Sequence, residues 1–295
     1  MAVDGPQDDD LPYDGNRRPE AFDTQRMAAA RPDTSKPSTE LHRDDCYYEL
    51  RAHQATDKHS RAHDTGDKPE RTAEGGWKWK GLELDAAANR LADDAIAARR
   101  QAEGRDAEGN YAEAGITPVM RCIEAELEHG SLVPDTERFA LKSPDRFKEK
   151  LAKLIERRPD ESAVDLAAEI PDGIRYTFTF EVDKYTDGVG VACAKIGGSG
   201  CELTRLANRW DGEEYKGVNS RWLHIESGQS FEVQFHTSES WDVKQANHDA
   251  YEKANDPTTD IGEVELLRAY QYSGTKSITM PDRWHDIENY QLPGS

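Results

Sequence analysis

The chain has 295 residues, and 38 Lys+Arg against 58 Asp+Glu give it a formal charge of −20. Charged residues make up 33% of it and no run of about 18 apolar residues occurs, which excludes a helical membrane span. The acidic balance argues against a general nucleic-acid coat, which wants a basic surface, although a basic site can sit locally in an acidic protein.

Residues 1–40 are rich in Asp, Pro and Arg and lack periodicity. Residues 51–76 contain no Val, Ile, Leu, Phe, Tyr or Trp, so they supply little core and read as loop. His53, His59 and His63 fall there and read as solvated, because no Cys or carboxylate spacing supports a metal site. The opening MAVDGPQDDD has neither a basic n-region nor an apolar h-region, so no signal peptide is expected in it. Residues 1–76 are therefore an irregular N-terminal extension. A helix is expected from about Leu82, with Leu82, Ala86, Leu91 and Ile96 as its apolar stripe. A second is expected over about 118–128, with Val119, Cys122, Ile123 and Leu127 on one side. Together they make residues 77–135 a helical cap.

Residues 136–295 form the main domain. Ser143-Pro144 reads as a helix start, with Ser143 supplying the N-cap oxygen and Pro144 losing no hydrogen bond at the first helical position. The helix runs to about Arg158 and buries Phe147, Leu151, Leu154 and Ile155. Lys142, Arg146, Lys150, Lys153 and Arg157 recur along it at steps of three and four. The plain reading is a solvated face offset by Glu149 and Glu156; the functional one is a rail for a polyphosphate.

Residues 174–182 alternate, with Ile174, Tyr176, Phe178, Phe180 and Val182 facing one way and Arg175, Thr177, Thr179 and Glu181 the other. Residues 231–236 alternate too, with Glu232, Gln234 and His236 on the polar face. Between them lie an expected helix near 185–195, the glycine loop Gly197–Gly200, and strands near 201–208 and 217–225. A helix over about 240–254 follows. The fold class is α/β or α+β: a mixed sheet flanked by helices.

The glycine loop is followed by no Gly-Lys-Ser/Thr, so it is not a Walker A loop, and no GxSxG, HExxH or EF-hand pattern occurs. The four cysteines, Cys46, Cys122, Cys193 and Cys201, form no C-x-x-C and allow three pairings or four free thiols. Asp172 before one strand and Glu232 on another are hard oxygen ligands of the kind Mg²⁺ takes beside a phosphate partner. The plain alternative pairs them with Arg175 or Lys216.

Five blocks in one order carry a resemblance. Lys142-Ser143-Pro144-Asp145-Arg146 through Lys150, Asp172-Gly-Ile-Arg175-Tyr176-Thr177, Tyr215-Lys216-Gly217-Val218-Asn219, Glu232-Val-Gln234-Phe-His236-Thr237, and the helix bearing Trp241, Lys244, Gln245, His248 and Tyr251 resemble RelA/SpoT-like alarmone synthetases. The form of the blocks is closer to the secreted and toxin-delivered branch, which includes secreted bacterial ATP nucleotide 3′-pyrophosphokinases. His236 stands where the cytosolic family has Arg, and Asn219 where it has His.

The resemblance implies a nucleotidyltransferase-like synthetase core over 136–295. It implies transfer of the β,γ-pyrophosphate of ATP to the 3′-hydroxyl of a purine nucleotide, with AMP released. It gives Glu232 as base, Asp172 and Glu232 as Mg²⁺ ligands, and Lys142, Ser143, Arg146, Lys150 and Arg175 as ATP contacts. It gives Tyr215, Lys216, Asn219, Gln234, His236 and His248 as acceptor contacts. It further implies a secreted monomer with Cys193–Cys201 and Cys46–Cys122 disulfides and no membrane or nucleic-acid partner. Two alternatives are the same chemistry on the 3′ end of tRNA and a catalytically dead nucleotide-binding module. The joint presence of Asp172, Glu232 and Tyr215 weighs against the second.

Overall fold

A computed structural model describes residues 68–104, 115–255 and 259–293, all within the compact unit Ser35–Ser295. The readings of residues 1–67, including His53, His59, His63 and the Cys46–Cys122 pairing, fall outside the described residues.

The chain first forms a small antiparallel meander of β1 (Glu70–Arg71), β2 (Trp77–Trp79) and β3 (Leu82–Leu84). Leu82 thus begins a strand where the sequence reading began a helix. Its turn explains why: Lys80 and Gly81 both have positive φ (51° and 77°), the conformation that reverses a tight hairpin. Trp77, Leu82 and Leu84 then point inward together. Helix α1 (Ala86–Glu103) starts only after Asp85, whose side chain accepts from the Ala88 amide. Helix α2 (Ile116–Ala125) follows, and then β4 (Gly130–Leu132) and the short α3 (Thr136–Phe139).

The remaining elements are α4 (Pro144–Arg157), α5 (Ala163–Ala168), β5 (Arg175–Phe180), α6 (Tyr185–Gly198), β6 (Cys201–Asn208), β7 (Val218–His224), β8 (Gln229–Thr237), α7 (Ser238–Ala254), α8 (Ile261–Lys276) and β9 (Tyr290–Gln291). They complete a six-stranded sheet in the order β4-β5-β8-β7-β6-β9. Only β5 and β8 pair in parallel; the other neighbours are antiparallel. The result is a mixed sheet flanked by helices.

Alternation decides the faces. Ile174, Tyr176, Phe178 and Phe180 are all buried with Phe231, Val233 and Phe235 of β8. Val182 is exposed, because β5 stops at Phe180 and the Lys184 amide turns back onto the Glu181 carbonyl. Phe180 fits only because its neighbours lack side chains: a Cβ on Gly130 or Gly188 would come within 2.2 and 2.4 Å of its ring. A second core joins the meander to α4 and α5 through Trp77, Leu84, Phe147, Leu151, Leu166 and Ile170. Each such side chain contributes roughly 1.5–3 kcal/mol by burial.

The cysteine expectation is corrected. Cys193 and Cys201 are free thiols. Gly197 and Gly198 continue α6 instead of forming a loop, and each thiol packs separately into the core. Burial pushes Cys193 up to about 12 and Cys201 to about 11. Cys122 is free and exposed.

Candidate active site

Asp172 lies in the 3-10 turn Pro171–Gly173 that leads into β5. The backbone brings it to the basic helix: the Lys142 amide donates to the Gly173 carbonyl, and the Arg175 amide to the Ala140 carbonyl. Lys142 Nζ then lies 2.7 Å from Asp172 Oδ2, and Lys150 Nζ 2.9 Å from Oδ1. Burial alone would raise the Asp172 pKa, but Lys150 and Lys142 hold it down at about 2. One carboxylate thus gathers two of the five basic residues of the stripe. Two more meet a second acid: Arg146 and Lys153 each lie 3.0 Å from Glu149, and Arg146 also reaches Glu252 of α7 at 3.1 Å. Ser143 occupies the N-cap of α4, but its side chain makes no cap hydrogen bond, contrary to expectation.

The parallel register sets the centre of the site. Arg175 pairs with Glu232, Thr177 with Gln234 and Thr179 with His236, so the polar alternates of β5 and β8 share one face. The Glu232 amide donates to the Ile174 carbonyl, fixing the two strands beside the Asp172 turn. Glu232 Oε1 accepts from Gln234 Nε2, and Gln234 Oε1 accepts from Lys244 Nζ of α7. Lys244 Nζ also stands 4.5 Å over the Trp241 ring. Burial, with the nearby Arg175, pushes the Lys244 ammonium down to about 7.

On the far side, Tyr215 Oη lies 2.6 Å from Asn219 Oδ1 and 2.9 Å from His236 Nε2, and His236 Nδ1 lies 2.9 Å from Ser240 Oγ. A phenol has one proton. If Tyr215 donates it to Asn219, His236 must donate from Nε2 and accept at Nδ1 from Ser240. That neutral tautomer suits a ring that is 0% exposed, and burial, with Lys244 nearby, holds His236 well below its usual range. Burial, followed by Glu232, raises the Tyr215 hydroxyl well above its usual range. Both His236 nitrogens are engaged, so its place in the geometry is to hold Tyr215. Lys216 Nζ donates to the Trp210 carbonyl at 2.8 Å, and burial lowers its pKa. His248 is exposed, 3.6 Å from Glu252, and belongs to the rim beside Arg146.

The fold therefore gathers Lys142, Lys150, Asp172, Arg175, Glu232, Gln234, Asn219, Tyr215 and His236 around one polar sheet face. Sequence reasoning placed Lys244 on the right helix but gave it no role, since a lone lysine on an amphipathic helix reads as solvated. It also left out Arg221, although the alternation of β7 puts it on the face of Asn219. No group of three or more His, Cys, Asp or Glu able to hold a metal occurs among the described residues. Asp172, held ionised, and Glu232 are still a fitting donor pair for Mg²⁺, which takes one or two carboxylates and fills its remaining positions with water and substrate phosphate.

No protein-family model matches the chain, and no curated protein matches it. Solved structures do. Small alarmone synthetase 1 of Bacillus subtilis, bound to its product pppGpp, is 13% identical over 65% of this chain and 93% of its own, with a TM-score of 0.40. Small alarmone synthetase 2 of the same organism is 14% identical over 54% and 86%, with a TM-score of 0.36. A GTP pyrophosphokinase family protein of Streptococcus pneumoniae is 13% identical over 64% and 84%, with a TM-score of 0.35.

Proposed function

We propose that the chain is a nucleotide 3′-pyrophosphokinase that moves the β,γ-pyrophosphate of ATP onto the 3′-hydroxyl of a purine nucleotide. The observation that carries this reading is the register of β5 on β8. It sets Arg175 beside Glu232 and, through the turn before β5, brings the Lys142–Asp172–Lys150 cluster next to them.

In this reading the acceptor 3′-oxygen attacks the β-phosphorus of ATP, the bond from that phosphorus to the α–β bridging oxygen breaks, and AMP leaves. Glu232 takes the proton of the attacking hydroxyl. Gln234 fixes the rotamer of Glu232, and Lys244 fixes Gln234. Lys142, Lys150 and Arg175 supply fixed positive charge where negative charge builds on the transferring group. The two lysines exchange Asp172 for phosphate oxygens when the donor enters. Asp172 and Glu232 would hold Mg²⁺, which supplies charge neutralisation on the pyrophosphate when bound. Tyr215 offers its ring to the acceptor base, its tilt set by His236 and Asn219. Arg146 and His248 line the donor-side rim. A secreted site of action belongs to the same reading and rests on the form of the sequence blocks.

The test is incubation with ATP and Mg²⁺ alone and with added GTP, with products resolved by anion exchange and mass detection. AMP together with a nucleotide two phosphates heavier supports the reading. No AMP in either reaction removes it for free nucleotides and turns the question to an RNA 3′ end.

A further inference from the structure

The turn that carries Asp172 rests on a buried arginine. Arg99 of α1 is 5% exposed, and its guanidinium lies against the stretch that joins α5 to β5. Its Nη2 donates to the Ala167 carbonyl at 2.7 Å and more weakly to that of Ile170 at 3.4 Å. Its Nη1 donates to the Ala95 carbonyl of its own helix at 3.2 Å. Cζ stands 4.7 Å from the centre of the Phe147 ring of α4. Gly173 packs directly on the same side chain: a Cβ there would come within 2.5 Å of Nε and 2.7 Å of Cδ. Arg99 thus touches the chain on both sides of Asp172, at Ile170 before it and at Gly173 after it.

Packing alone does not account for a cation here. A buried charge carries a desolvation cost that an apolar side chain of similar length avoids. The guanidinium bonds only backbone carbonyls among the described residues, and its buried Nε has no partner. Burial lowers the Arg99 pKa, and the charge that works against this is that of Asp172. Arg99 also differs from the two lysines in front of that carboxylate. The Lys142 and Lys150 side chains are 22% and 42% exposed and can turn to a phosphate. Arg99 is tied to carbonyls of two segments and covered by Phe147, so it stays when the lysines leave.

We propose that Arg99 is a positioning residue for Asp172. It holds the Pro171–Gly173 turn from behind, so that the carboxylate keeps its place for a divalent cation while Lys142 and Lys150 turn to the donor phosphates. This rests on the pyrophosphokinase reading above and adds to it a residue of α1, outside the five sequence blocks.

The test uses Mn²⁺ with α,β-methylene-ATP, whose α–β bridge cannot be cleaved, so that binding is read without turnover. Water proton relaxation reports the Mn²⁺ held on the protein. Wild type, Arg99→Met, Arg99→Lys and Gly173→Ala are compared, each checked for folding by circular dichroism and urea unfolding. Arg99→Met should weaken Mn²⁺ binding in this complex roughly tenfold and raise the Mg²⁺ concentration for half-maximal turnover about as much, with the ATP KM at saturating Mg²⁺ changed by less than about threefold. Arg99→Lys should recover part of the loss. Gly173→Ala, which pushes the turn off Arg99, should reproduce it. If Arg99→Met does not fold, the other two variants carry the test.

An arginine that only packs the core predicts a shifted urea midpoint with Mn²⁺ binding as in wild type. That result in Arg99→Met, or wild-type Mn²⁺ binding in Gly173→Ala, overturns the proposal, as does a wild type that holds no Mn²⁺ in this complex. Wild type that holds the Mn²⁺ complex and forms no AMP overturns the reaction reading instead, and the Arg99 comparison is still decided by binding.

Discussion

The two flanks of Glu232 are held by different chemistry. On the α4 side the bonds are ion pairs: Lys142 and Lys150 on Asp172, Arg146 and Lys153 on Glu149. On the β7–α7 side they are neutral hydrogen bonds running from Asn219 through Tyr215 and His236 to Ser240. Lysines whose side chains keep partial solvent access can trade a carboxylate for a phosphate at small cost. A buried neutral chain cannot, because each unsatisfied group costs roughly 1–3 kcal/mol. The first flank is built to exchange partners, and the second to keep a shape.

The largest expected effect lies between the flanks. Glu232→Gln should lower turnover about 10²- to 10⁴-fold, while ATP binding measured by calorimetry stays near wild type. Persistent turnover would place the base elsewhere. Next comes the contrast itself. His236→Phe removes the partner of both the Tyr215 oxygen and the Ser240 hydroxyl, leaves Tyr215 its bond to Asn219, and should cost roughly 1–3 kcal/mol in urea unfolding. Lys142→Met should cost less, because Lys150 still partners Asp172; a reversed order would break the comparison. In return, Lys142→Met should raise the ATP KM, which His236→Phe should leave nearly unchanged.

Acid should separate the flanks as well. His236 has a folded pKa below its unfolded value, so only the unfolded chain binds its proton near pH 6.5. Its contribution is present above that pH and is lost as pH falls further. Asp172 titrates from 3.8 unfolded to about 2 folded, so its share survives to about pH 4 and then disappears. Denaturant midpoints from pH 8 to 3 should show the first slope flattened in His236→Gln and the second unchanged. The smallest expected effect is at a cap. Ser143→Ala should change stability by under about 0.5 kcal/mol, because its hydroxyl caps nothing, whereas Asp85→Ala should cost about 1 kcal/mol.

Much of the half from Lys142 onward was legible in advance. Period-two alternation located β5 and β8 and their polar faces, and Ser-Pro located the start of α4. The same rules failed at Leu82, where a stripe at helical spacing coincides with a strand. A two-residue turn at Lys80-Gly81 outweighs periodicity there. They failed at Gly197 and Gly198 too, where helix packing overrode the loop composition.

By itself the sequence determined which residues share a face, because alternation and caps are set by backbone geometry over a few neighbours. It could not determine which partner each polar group takes. Asp172 and Lys150 are 22 positions apart, Tyr215 and His236 are 21, and Arg146 and Glu252 are 106. Only the tertiary structure decides such pairs, because a charge or hydrogen bond falls off within a few ångströms and depends on how distant elements dock. For the same reason Cys193 and Cys201, eight residues apart, remain separate thiols, and His236 meets Tyr215 across 21 positions.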